Sequence, residues 1–248
     1  MTAPTSTAPR RERPGRALTA SMVATMLEED TSPDWWSLLD VERTSRRAAA
    51  YGLRGVTCAP ERVAALRTFL TPEQRVTAHL GSTEPLREWG AFQLVLAQAE
   101  DALADGADQL RVTLSTEDLV GHDVRTVVSR LEALRDVTRA ATAGLRLHVT
   151  GPDTEEHVDD LVVLADHVGL DSLELGGARP PLSTVTLLAA ALPRSVELKV
   201  GAPVADLDRL LLAHAAGADV LAADPAVVMA AARAREERGI LTLPTPED

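Results

Sequence analysis

Short β-branched runs alternate with longer amphipathic runs along most of the chain. Eight segments read as strands: MVATML (22–27), GVTCA (55–59), RVTAHL (75–80), QLRVTL (109–114), LRLHVT (145–150), SLELG (172–176), VELKV (196–200) and VLAAD (220–224). Between them lie helical patterns. Val124, Val127, Val128, Leu131 and Leu134 recur at spacings of three and four, which places them on one helix face, and Val158, Leu161, Val162, Ala165 and Val168 do the same. Start signals agree with this reading: GPDTEEH offers Asp153 or Thr154 as an N-cap ahead of acidic residues, and APERV and TPEQ place Pro beside a turn or helix start.

A weak repeat recurs before strands, in DGADQL, VGLDSL and AGADVL. Each puts Gly where a left-handed residue stops a helix, and the next strand follows within a few residues. Eight βα units joined by short turns predict an α/β fold, a (β/α)8 TIM barrel, because right-handed crossovers cover parallel strands with helices. An open doubly wound sheet is the competing architecture, but no strand is followed by GxGxxG or GxxxxGK[ST].

The 248 residues and 45% hydrophobic content suit one barrel domain. Residues 1–17, polar with Pro and Arg, read as a disordered tail; 18–240 form the barrel, and 241–248 a short C-terminal tail. A net charge of -12, spread along the chain, argues against nucleic-acid or membrane partners. The single Cys58 excludes an internal disulfide and fits a reducing cytoplasm. No Cys/His cluster has zinc-ligand spacing, and His79 with His148 makes a thin ligand set, so neither a metal nor another cofactor is expected.

Active groups of such a barrel belong at the C-terminal ends of strands, on inward positions. Of 25 Lys and Arg residues only Lys199 is lysine. If Lys199 points inward, Glu197 and Gly201 share its face; if Glu174 points inward, so do Ser172 and Gly176. Opposite charges then meet on neighbouring strands.

Four segments in order, AAAYGLRGVTCAPERV (48–63), AEDALADGADQLRV (99–112), VGLDSLELGG (168–177) and VELKVGAP (196–203), are similar to the corresponding passages of the deoxyribose-phosphate aldolase family. The resemblance runs from about residue 22 to 232 and implies a class I aldolase barrel, with a homodimer as one assembly it allows. The family's Schiff-base lysine on strand 6 corresponds to Glu174, its strand 4 aspartate to Arg111, and its strand 1 Asp-His-Thr to Val23, Ala24 and Thr25. Its second lysine, on strand 7, is matched by Lys199. Thr57 aligns with a cysteine of some members, and Cys58, displaced by one, turns to the helix side. In place of the family's glycine-rich phosphate loops stand GAP, where Pro203 lacks an N–H, and AADPA, where Asp224 caps the next helix. A non-phosphorylated carbonyl metabolite is the expected substrate.

Three readings follow. Lys199 forms an imine with the substrate, Glu174 moves protons and Arg111 holds an oxyanion, as a carbon–carbon lyase would require. Alternatively, Glu174 and Lys199 act as an acid/base pair for isomerisation, dehydration or cyclisation. In the bland reading, Arg111, Glu174 and Lys199 form a buried structural triad in a catalytically silent homologue. Thr25, Thr57, His79, His148, Gly176, Gly177 and Gly201 are the candidate substrate-binding positions; either His could be a general base or simply a hydrogen-bonded strand residue. Trp35, Trp36 and Trp89 read as core or subunit contacts, with a lid over the mouth as the alternative.

Overall fold

The computed structural model describes residues 15–32, 37–82, 89–120, 124–151, 154–177 and 180–244. Its strands are β1 Glu28–Asp30, β2 Gly55–Cys58, β3 Arg75–Ser82, β4 Gln109–Ser115, β5 Gly144–Thr150, β6 Ser172–Leu175, β7 Glu197–Val204 and β8 Val220–Ala223. They form one sheet in chain order, every pair parallel. Closure comes just before β1, where Leu27 bridges Leu221 and the Leu221 amide donates to the Met26 carbonyl at 2.8 Å. The fold is a (β/α)8 barrel.

Alternation along the strands divides the barrel into two compartments. In β4 and β5, Leu110, Val112, Leu114, Leu145, Leu147 and Val149 are buried beneath the helices. The helix Val124–Ala140 buries Val127, Leu131 and Leu134 in return, and the helix Val158–Val168 buries Leu161, Ala165 and Val168. This apolar layer is the larger core. The intervening residues point into the barrel and are polar. Among the described residues, no helix is long and apolar enough to cross a membrane.

The first strand is a correction. MVATML does not form it: Thr19 accepts a hydrogen bond from the Met22 amide and caps a short helix, Ala20–Ala24. The strand is the acidic Glu28–Asp30. Glu28 and Asp30 point inward to cations, while Glu29 pairs with Arg47 of the helix Leu38–Tyr51. A strand whose partners are arginines on both faces carries no apolar periodicity for a hydrophobic scan to find.

The Gly-x-Asp repeat acquires a physical meaning at the N-terminal rim. Gly106, Gly169 and Gly217 have φ of 99°, 71° and 114°, the left-handed stop that each preceding helix needs. The aspartate two residues on then bonds back to the preceding strand. Oδ2 of Asp108, Asp171 and Asp219 accepts the amides of Val76, Leu145 and Leu198 at 2.7, 2.8 and 2.8 Å. The three aspartate amides donate to the carbonyls of the same residues at 2.9, 3.0 and 2.8 Å. Each aspartate thereby pins an even strand to its odd neighbour.

The chain ends contribute to this face as well. Ala17 and Thr242 form an antiparallel bridge, Leu18 N donates to Leu241 O at 2.9 Å, and Leu241 and Leu243 are buried. Residues 241–243 are thus packed rather than loose, while residues 1–14 and 245–248 lie outside the described residues. So do Trp35, Trp36 and Asp153. Thr154 belongs to a turn, and the following helix starts only at Val158.

Candidate active site

Among the described residues, a charge-balanced set joined by ion pairs runs from the barrel interior to its mouth: three carboxylates, the buried Glu28 and Glu174 and the exposed Asp30, and three buried cations, Arg111, Arg146 and Lys199. Register explains the convergence. Thr113, His148, Glu174 and Lys199 are successive partners across β4 to β7, and His79, Arg111, Arg146 and Ser172 across β3 to β6. Two arginines on adjacent strands would repel. The carboxylates between them reverse the sign.

Arg146 binds Glu28 through both terminal nitrogens at 2.9 Å and reaches Glu174 at 3.4 Å. Thr57 and Thr77 donate to Glu28 Oε1 at 3.0 and 3.3 Å, so this carboxylate is fully engaged. Lys199 Nζ lies 3.3 Å from Glu174 and 3.5 Å from Glu28. Arg111 donates to Asp30 at 2.7 Å, to Glu174 at 3.4 Å and to Ser32 Oγ at 2.8 Å. Lys199 is 1% exposed, and Arg111 and Glu174 are each 2% exposed.

Toward the C-terminal ends of the strands the lining becomes half-buried: His79, Thr113, His148, Gly176 and Gly201. Thr113 Oγ1 lies 3.0 Å from His79 Nε2 and 2.9 Å from His148 Nδ1. Two glycines make room for these side chains. A Cβ on Gly176 would lie 1.8 Å from His148 Nε2, and one on Gly201 would lie 2.4 Å from Glu174 Oε1. Irregularities re-aim the chain at both edges of this mouth, after His79 in β3, where Gly81 has φ of 91°, and after Val200 in β7.

Burial and charge set the protonation states. Burial alone would raise the Glu174 carboxyl, but Lys199, Arg111 and Arg146 together hold it down at about 2. Glu28 is held well below the carboxylate range against burial, chiefly by Arg146 and Lys199. Lys199 is lowered from the ordinary lysine value by burial, with Arg146 and Arg111 adding to the effect and Glu174 and Glu28 opposing it. Its proton is therefore held less firmly than on an exposed lysine. Burial is also the main cause for the histidines, with Arg111 contributing; both are lowered to about 4 and are neutral at pH 7.

Lys199, Glu174, Arg111, Thr57, His79, His148, Gly176 and Gly201 all converge inside the barrel or at its mouth. Gly177 follows β6 with φ of 74°, a turn conformation. Thr25 lies elsewhere: it caps the C-terminal end of the first short helix, beside Arg54, Glu197 and Asp219 at the opposite face. The shift of β1 from 22–27 to Glu28–Asp30 is the cause. Glu197, on the Lys199 face, closes that bottom end by pairing with Arg54 and Arg75. Cys58 packs in the helix-side core, and burial pushes its thiol up to about 12. Trp89, the first residue of the helix Trp89–Ala104, is 61% exposed, with Arg130 over its ring.

Sequence reasoning missed Glu28, Asp30, Arg146, Thr113 and Ser32. The signal for Arg146 and Thr113 was present, since each stands two residues from a chosen candidate on the same strand face. Among the described residues, no group of three or more His, Cys, Asp or Glu is arranged to hold a metal ion. Asp224 caps the helix Pro225–Glu237 by accepting from Ala226 N at 2.9 Å, so a carboxylate already occupies the helix start after β8.

No family model matches the sequence, and no curated protein matches it. Solved structures do. An aldolase named QR15 superposes with a TM-score of 0.75 at 18% identity, over 87% of this chain and 98% of that one. The tetrameric deoxyribose phosphate aldolase from Aeropyrum pernix gives 0.71 at 17%, over 86% and 92%. An oxaloacetate acetylhydrolase gives 0.59 at 14%, over 87% and 80%. The chain is therefore a (β/α)8 barrel that resembles the deoxyribose-phosphate aldolases, at a sequence distance where the likeness speaks for the fold alone.

Proposed function

We propose that the protein is an aldolase-type carbon–carbon lyase that cleaves a non-phosphorylated β-hydroxy carbonyl compound by enolate chemistry at the barrel mouth. The observation that carries this reading is the placement of two neutral imidazoles, His79 and His148, at the half-buried mouth, with the buried cations Arg111 and Lys199 behind them. His148 removes the proton of the β-hydroxyl group. The carbon–carbon bond then breaks, its electron pair passes into the carbonyl, and the resulting enolate oxygen is stabilised by the cations. His148 then returns the proton from Nε2 to the enolate carbon. Asp224 at the helix start and Pro203, which has no N–H, support a substrate without phosphate.

The imine route has one observation in its favour: burial lowers the pKa of the only lysine. Two measurements separate the routes. Carbonyl compounds incubated in D2O and followed by proton NMR should exchange the hydrogen next to the carbonyl and release cleavage products, and His148→Gln should slow both by roughly 100-fold or more. Borohydride treatment with the substrate, once the N-terminal amine is blocked, should leave no adduct on Lys199. An adduct there establishes the imine instead. Absence of exchange, cleavage and adduct across phosphorylated and free carbonyl compounds would leave the five buried charges, Glu28, Glu174, Arg111, Arg146 and Lys199, as a structural device.

A further inference from the structure

The side chain joining the two histidines adds a function that neither ring has alone. Thr113 Oγ1 is in hydrogen-bond contact with both, at 3.0 and 2.9 Å, and a hydroxyl has one proton to donate. If it donates to His148 Nδ1, then His79 must donate from Nε2, and both rings are Nε2–H tautomers. If it donates to His79 Nε2, then His148 must donate from Nδ1, and both are Nδ1–H tautomers. In a mixed pair, either both rings present lone pairs and the single hydroxyl proton leaves one without a donor, or both rings donate to Oγ1 and the hydroxyl proton must turn away from the pair.

We infer that Thr113 is a proton bridge that locks His79 and His148 into matching tautomers and carries a proton from one ring to the other. In the Nδ1–H state, the lone pair of His148 lies on Nε2, the atom held over Gly176. A proton taken up there makes His148 an imidazolium. His148 then gives its Nδ1 proton to Thr113, Thr113 gives its own hydroxyl proton to His79 Nε2, and His79 releases its Nδ1 proton. One proton enters and one leaves, three bonds to hydrogen form and three break, and both rings finish as Nε2–H tautomers. The charged groups facing the pair are Arg111, Asp30 and Glu174 around both rings, with Lys199 also near His148. Burial, with Arg111 at both rings and Lys199 at His148, disfavours an imidazolium resting there against the opposing pull of Asp30 and Glu174, which is the condition under which passing the proton onward has an advantage. The inference rests on the lyase reading only where that reading makes His148 the base; Thr113 is a positioning and relay residue.

The bridge can be tested without substrate. Long-range proton–nitrogen NMR spectra of the 15N-labelled full chain, with ring signals assigned from His79→Gln and His148→Gln, report the tautomer of each ring. Matching tautomers, or matching proportions of both, are expected in the parent and in Thr113→Ser, and they should become independent in Thr113→Val. On acidification the two rings should shift together with one midpoint in the parent and with two in Thr113→Val. One Nε2–H ring beside one Nδ1–H ring in the parent would overturn the bridge, and separate midpoints in the parent would overturn the relay. If Thr113→Val does not fold, the parent and Thr113→Ser spectra still decide. Matched tautomers in a protein that turns over no carbonyl compound would sink the lyase reading and leave the bridge standing; an active enzyme with mixed tautomers would do the reverse.

Discussion

Arg146 holds Glu28 in a two-pronged ion pair at the centre of the barrel, with both terminal nitrogens 2.9 Å from the carboxylate oxygens and neither side chain above 1% exposure. Such a pair is held in place by the cost of breaking it more than by the gain of having it. Arg146→Met leaves Glu28 with Lys199 as its one remaining ion-pair partner among the described residues. It should destabilise the protein by about 3–5 kcal/mol in urea unfolding, whereas Arg146→Met with Glu28→Leu should recover most of that loss. Equal losses in the single and double variants would mean that packing, not charge, sets the cost.

Stability should fall with acid in two stages. His79 and His148 are lowered to about 4, against about 6.5 in the unfolded chain. Between those values the unfolded chain binds more protons, so their contribution is complete above pH 6.5 and is lost as the pH falls toward 4. Glu174 follows: its contribution is present above about pH 4.3 and is lost as the pH falls toward 2. Melting temperature measured across pH should begin to decline near pH 6.5, and the double variant His79→Gln, His148→Gln should flatten that upper stage alone.

Gly176→Ala is expected to harm activity more than stability. The new methyl carbon would fall 1.8 Å from His148 Nε2, so the imidazole must move away from the mouth. Deuterium exchange into a carbonyl substrate should drop at least about tenfold, since displacement of a general base forfeits part of its usual 10²–10⁴-fold contribution. A variant that exchanges as fast as the parent would remove His148 from the reaction.

Asp171→Ala tests the rim. It removes the acceptor of the Leu145 amide and the partner of Arg135. Thermal or chemical unfolding should show a loss of about 1–3 kcal/mol with catalysis unchanged per folded molecule. Asp108 and Asp219 hold equivalent positions, and their replacement should cost similar amounts.

Most of the barrel was legible because its strands β2 to β8 keep an apolar outer face toward the helices, which gives them runs such as LRLHVT and VELKV. The first strand was not legible for the opposite reason: its residues are Glu28, Glu29 and Asp30, all balanced by arginines that only the folded chain brings near. That one displacement also misplaced Thr25. The Glu174–Lys199 contact followed from strand neighbours and the two-residue alternation, and the register bears it out. Arg146 carries the same alternation as His148, but its carboxylate partner lies 118 positions away and nothing in the local sequence pairs the two.

The aspartates at the lower rim recur once in every two strands, on β4, β6 and β8, and each one joins a pair. A barrel fastened in this way is an assembly of two-strand modules whose joints all lie at the end remote from the chemistry. Side chains toward the mouth can then differ without loosening the rim, because none of them takes part in these joints. Architecture and reactivity are thereby built from separate sets of residues in this chain, one at each end of the barrel.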